Sequence, residues 1–120
     1  MIDNKVLYKV TDSEMPEFWW LGVCVVRGDS WIGFHDTQRG HTITGELIAE
    51  TPDGFTWQRK RMDEDDNLVD DGVLTFKVLT LEGFNAETRD QVTGDLPEFS
   101  SDQQLWEWYR RKYEPRGSHW

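Results

Sequence analysis

Apolar and polar positions in this chain recur mainly with the two-residue period of β-strands, punctuated by clusters of glycine, proline and aspartate. Lys5-Val6-Leu7-Tyr8-Lys9-Val10 predicts a short strand, and the cap and turn residues from Thr11 to Pro16 end it. Phe18 to Val26 is an unbroken apolar run. It is shorter than a typical buried helix and rich in β-branched and aromatic residues, so it predicts a central strand covered on both faces. Gly28-Asp29 permits a tight hairpin into a strand from Ser30 to Phe34.

The loop Asp36-Thr37-Gln38-Arg39-Gly40 leads into a strand from Thr42 to Glu50. Its alternation puts Ile43, Gly45, Leu47 and Ala49 on one face and Thr42, Thr44, Glu46 and Glu50 on the other, with Ile48 out of step. Thr51-Pro52-Asp53-Gly54 has turn chemistry, so a strand from Phe55 to Met62 should return antiparallel. Val73 to Leu81 gives a further strand, and an irregular polar stretch follows from Gly83 to Phe99.

Only the C-terminal region has helical periodicity. Ser101 fits an N-cap with Gln104 three residues on, and Leu105, Trp106, Tyr109 and Tyr113 fall on one stripe suited to docking on a sheet. Glu107 and Arg111 lie four apart on the outer face, Trp108 lies beyond the stripe edge, and Pro115 and Gly117 end the helix.

These elements predict a mainly β (α+β) protein: an antiparallel, twisted sheet or partly open small barrel of about five to six strands with one C-terminal helix packed on it. The length of 120 residues fits a single domain. Aromatics are 13% of the chain against 37% hydrophobic in all, so Trp19, Trp20, Trp31, Trp57, Phe76, Trp106 and Tyr109 are expected to form much of the core.

Charge separates the chain into unequal parts. The formal net charge is −10, and residues 62–100 alone carry −9, with two bases against eleven acids. Such a balance argues against direct nucleic-acid or membrane binding, which require clustered Lys and Arg, and favours a basic macromolecular partner. Asp63, Glu64, Asp65, Asp66, Asp70 and Asp71 form the densest run and are the candidate partner-binding residues, with Trp108 as an apolar anchor. The run departs from a calcium loop because Leu68 stands where the sharp turn needs glycine and Leu74 where a bidentate glutamate should close the site.

Other chemistry is sparser. His35 and His41 bracket the Asp36 to Gly40 loop and would be cross-strand neighbours if the hairpin closed in that register, with Asp36 as an oxygen ligand for a metal. A firm third ligand is missing, and polar residues at a hairpin mouth give the same pattern. Phe55, Trp57, Arg59 and Arg61 share a strand face that could stack and pair with a single strand, or could mark a strand leaving the core with its arginine stems on apolar surface. Glu46 and Glu50 share a face and could act as a carboxylate pair, or could be solvated. Arg27-Gly28-Asp29-Ser30 contains a tripeptide of the type that integrins recognise on a plausible turn.

The single cysteine, Cys24, lies in the apolar run and cannot form an internal disulfide. The chain lacks a phosphate loop, a nucleophile elbow, a zinc-binding histidine helix and a dinucleotide fingerprint, so no cofactor is expected. No segment reads as a membrane span or secretion signal, which places the expected location in the cytoplasm.

The leading expectation is therefore a non-catalytic acidic binding protein, of the inhibitor, immunity or nucleic-acid-mimic type. One alternative is a small-ligand-binding or metal-dependent β-barrel protein using His35, Asp36 and His41. Another is a structural or assembly subunit anchored by Trp108 and Trp120.

Overall fold

The computed structural model describes residues 6–26, 29–92 and 96–113. The alternating segments form β1 (Leu7–Asp12), β2 (Met15–Val26), β3 (Trp31–His35), β4 (Gly40–Thr51), β5 (Gly54–Met62) and β6 (Leu68–Leu79). Each strand runs antiparallel to its neighbour in the chain, and β6 also pairs with β1, so the sheet closes into a ring. Leu7 lies opposite Val23 on one side and Leu79 on the other. Closure satisfies the backbone groups that an open sheet would leave on two edges.

Alternation across this ring produces two cores. Tyr8, Val10, Cys24, Ile32, Phe34, Phe55, Trp57, Leu74 and Phe76 fill the inside. Phe55 and Phe76 occupy opposed positions on β5 and β6, stack at 4.4 Å, and receive the edge of Tyr8 at 5.6 and 6.0 Å. Leu7, Leu21, Val23 and Leu79 project the other way, onto Phe84, Val92, Leu105, Trp106 and Tyr109. The continuous apolar run of β2 thus serves an inner and an outer core at once.

The outer core is built by the C-terminal third. Leu81–Gly83 forms α1, capped by the Thr80 hydroxyl, which accepts from the Gly83 N–H at 3.1 Å. A π-turn (Phe84–Thr88) and a 3-10 turn (Arg89–Gln91) follow, where the sequence pattern predicted irregular structure. Phe84 is fully buried there, while its exposed neighbours mask the periodicity.

Helix α2 (Asp102–Tyr113) begins where expected. Ser101 Oγ accepts from the Gln104 N–H at 3.2 Å, and Gln104 Oε1 accepts in return from the Ser100 N–H at 2.9 Å. Leu105, Trp106 and Tyr109 are buried, Tyr113 is half-buried, and the Tyr109 hydroxyl donates to the Leu21 carbonyl at 2.7 Å. Trp108 widens the buried face by packing on Phe99 at 5.4 Å. Glu107 accepts from Gln103 Nε2 at 3.2 Å, an i,i+4 contact with the residue one turn before it instead of Arg111 one turn after.

Several expectations are corrected. Trp31 is exposed, and Trp19 and Trp20 are only half-buried. Strand β2 starts at Met15 and contains Pro16, tolerated because the register jumps between Thr11, opposite Trp19, and Asp12, opposite Met15. On β4 the register shifts between Leu47 and Ala49, so Ile48 is a bulge and Leu47, Ile48 and Ala49 are all exposed. Arg27 and Gly28, where the sequence predicts a hairpin, with Pro115, Arg116, Gly117 and Trp120, lie outside the described residues. Among the described residues, no helix is long and apolar enough to cross a membrane.

Candidate functional site

Antiparallel order places the β1–β2, β3–β4 and β5–β6 connections at one end of the ring. Two features of possible function meet there: an acidic hairpin arm and an open mouth leading into the ring.

The arm follows from strand lengths. The pairing of β5 with β4 ends at Arg59 opposite Gly45, and that of β6 with β1 ends at Leu74 opposite Asp12. Past those points β5 and β6 pair with each other, through Lys60 opposite Asp70, Arg61 opposite Val69 and Met62 opposite Leu68. The loop is tightly folded. Asp63 Oδ1 accepts from the Asp65 N–H at 2.8 Å and the Asn67 N–H at 2.9 Å, while Asp66 sits in the left-handed region at φ 63°.

This geometry divides the acidic run. Asp70 lies 3.6 Å from Lys60 Nζ, and Asp71 lies 3.5 and 3.6 Å from the Nε atoms of Arg59 and Arg61. Those two carboxylates face bases of the adjacent strand. No ion pair among the described residues engages Asp63, Glu64, Asp65 or Asp66 at the tip. Immediately below them, Met62 and Leu68 are directly opposed and 54% and 51% exposed. Acids therefore cap an apolar cross-strand pair. Trp108 stands at the margin of the outer core, with Lys112 Nζ 5.1 Å from its ring.

At the base of the arm, the Asp12 side chain is shut off from solvent. It holds Arg59, whose Nη1 donates to Oδ2 at 2.7 Å, and its Oδ1 accepts from the Glu14 N–H at 2.9 Å. Arg59 Nε also donates to the Asp71 carbonyl at 2.8 Å. Gly72 fits here because its φ is +89° and a Cβ would come within 2.7 Å of Glu14 Cγ. Arg59 thus turns inward onto a buried carboxylate instead of sending its head to water, while Arg61 is exposed as on a strand leaving the core.

The mouth itself is a cavity of about 340 Å³. Val10, Trp20, Phe34, Ile43 and Leu74 supply apolar wall, and Arg39, His41 and Arg59 supply the basic groups. A neighbouring cleft of about 230 Å³ shares Trp20, Arg39 and His41 and reaches the β3–β4 loop. Asp36 organises that loop: Oδ1 accepts from the N–H groups of Gln38 and Arg39 at 2.8 and 2.9 Å, and Oδ2 lies 2.8 Å from His41 Nε2. Burial by itself would raise the Asp36 pKa, but these hydrogen bonds, with the attraction of His41, outweigh it and hold the carboxyl below its ordinary value.

The register separates the two histidines. His41 is opposite Phe34, and His35 is opposite Gly40. Because consecutive residues face opposite sides of a strand, His35 points away from the side shared by Phe34 and His41. Among the described residues, no three His, Cys, Asp or Glu side chains assemble as a metal-binding group.

Glu46 and Glu50 are separated as well, because they lie opposite Gln58 and Phe55, an odd number of positions apart on β5. Glu46 is 3.4 Å from Lys60 Nζ. Cys24 is fully buried, and desolvation pushes its thiol pKa from 9.0 up to about 12. Pattern reading does not assign Trp20, Arg39 and Arg59 to a common site: Trp20 is expected in the core, Arg39 in a loop and Arg59 on a strand face with Phe55 and Trp57.

No protein-family model, curated protein or solved structure matches the chain in sequence or fold comparisons.

Proposed function

We propose that this protein is a non-catalytic binding protein whose β5–β6 arm engages a basic surface of another protein. The observation that carries this reading is the tip of the arm, where Asp63, Glu64, Asp65 and Asp66 cap the exposed Met62–Leu68 pair. A central apolar anchor ringed by charge is the layout of an energetic contact patch. The acids would steer a basic partner over roughly a Debye length of about 8 Å at physiological salt, and the apolar pair would hold it once docked. Asp70 and Asp71 take a supporting role, because their charge is balanced within the arm.

The test compares capture of basic proteins from a lysate of the source cells by the native chain, Glu64→Gln/Asp65→Asn/Asp66→Asn, and Met62→Ser/Leu68→Ser. Asp63 is left intact because it organises the turn. The expected result is a defined basic partner that is lost at high salt and with either variant. The same partner held equally by all three proteins would overturn the proposal.

A further inference from the structure

The mouth of the ring carries a second, independent site. We infer that it binds a small planar organic anion, of the aromatic carboxylate class, with its ring system inside the mouth and its carboxylate on Arg39.

Size and lining define this class. A cavity of about 340 Å³ falls at the small end of the range used for organic ligands, roughly 300 to 1,000 Å³. Trp20, Phe34 and Leu74 give a wall that a mineral anion would leave unsatisfied and that a flat apolar body would cover.

The lining of the cavity is basic although the chain as a whole is acidic. A chain of net charge −10 lines this cavity with Arg39, His41 and Arg59 and with no carboxylate. The nearest carboxylates are already engaged, Asp12 by Arg59 and Asp36 by His41, and Asp36 lines the adjoining cleft rather than this cavity. The three bases are also differently placed. Asp12 fixes Arg59 from behind, and Asp36 engages Nε2 of His41. No carboxylate among the described residues pairs with the Arg39 guanidinium, although its backbone is anchored by Asp36. Arg39 also borders both the 340 Å³ cavity and the 230 Å³ cleft, so it can meet an anionic group at the junction. Its planar fork matches a carboxylate in two-point contact.

The experiment uses 2-naphthoate as the probe, with 2-naphthylmethanol as its uncharged counterpart and inorganic phosphate as the mineral anion, followed by ¹⁵N–¹H chemical shifts of the full chain. Saturable shifts centred on Arg39, His41 and Ile43 are expected with naphthoate, with affinity at least about tenfold above that of the alcohol or phosphate. Arg39→Ala should weaken naphthoate by about tenfold, equivalent to about 1.4 kcal/mol, while leaving the alcohol unaffected. Arg39 is exposed, so the variant should retain the native spectrum, and Arg39→Gln provides a second test that retains most of the stem.

Shifts that do not saturate or that map elsewhere would overturn the inference. So would equal affinity for the alcohol or phosphate, or naphthoate binding indifferent to both Arg39 variants. The Glu64, Asp65 and Asp66 substitutions leave this site in place, so the two proposals fail separately.

Discussion

Asp12 and Arg59 meet at 2.7 Å beside the ring mouth, the carboxylate buried and the guanidinium reaching it from the base of the hairpin arm. This contact joins the end of β1 to β5, strands that are not neighbours in the ring. Removing the base strands a desolvated charge, whereas removing both groups does not. Arg59→Met should therefore lower stability by about 2 to 4 kcal/mol, and Asp12→Leu/Arg59→Met should recover much of that loss. Urea unfolding of both variants checks this, and equal destabilisation would show that the pair is not coupled.

Asp36 predicts an acid response. Its folded pKa is lowered, so its stabilisation is present above the unfolded carboxylate value and is lost as pH falls through the folded value. Asp36→Asn should be less stable than the native chain near neutrality, and the gap should narrow as the solution is acidified below about pH 4. Chemical denaturation across that range reads the convergence.

Cys24 predicts the alkaline counterpart. Its thiol stays protonated in the fold up to about 12, while the unfolded chain ionises near the ordinary value of 9.0. The contribution is complete below the unfolded pKa and falls as pH rises towards the folded one, with a slope approaching about 1.4 kcal/mol per pH unit. Cys24→Ala should flatten that part of the stability profile, despite an offset from lost packing. Native Cys24 should also resist thiol reagents until the protein unfolds.

Phe84 tests the outer core. It is fully buried beneath α2, with Phe99 edge-on at 6.3 Å. Phe84→Ala should cost about 3 to 5 kcal/mol, measured by urea unfolding. Amide exchange should accelerate first in α1 and α2, and unchanged protection there would mean that this layer does not depend on Phe84.

Tyr109 gives a finer measure of how α2 is held. Its hydroxyl donates to the Leu21 carbonyl at 2.7 Å, and burial, followed by the charge of Asp36 and then Tyr113, pushes its pKa above the ordinary phenolic value. Tyr109→Phe should cost about 1 kcal/mol and remove one tyrosine from the group that ionises only on unfolding. Spectrophotometric titration at 295 nm counts that group.

The strands were legible because a two-residue period is local information. Val73 to Leu79, Phe55 to Met62 and the β2 apolar run appear in the structure as strands, and the stripe of Leu105, Trp106 and Tyr109 appears as a docked helix. The bulge at Ile48 was also visible as a break in alternation. The mouth was hidden, since Trp20, Arg39 and Arg59 come from separate strands and loops that only ring closure brings together.

The amino-acid order by itself determined the strand-forming segments, the helix with its cap, and the concentration of acids between residues 62 and 100. Tertiary structure decided what those acids face: Asp70 and Asp71 lie against bases of β5, while Asp63 to Asp66 remain at the tip. It also placed His41 opposite Phe34 and turned His35 to the other side of the strand. Periodicity along a chain specifies which residues alternate, but register between strands depends on distant partners, and a shift of one residue exchanges the two faces.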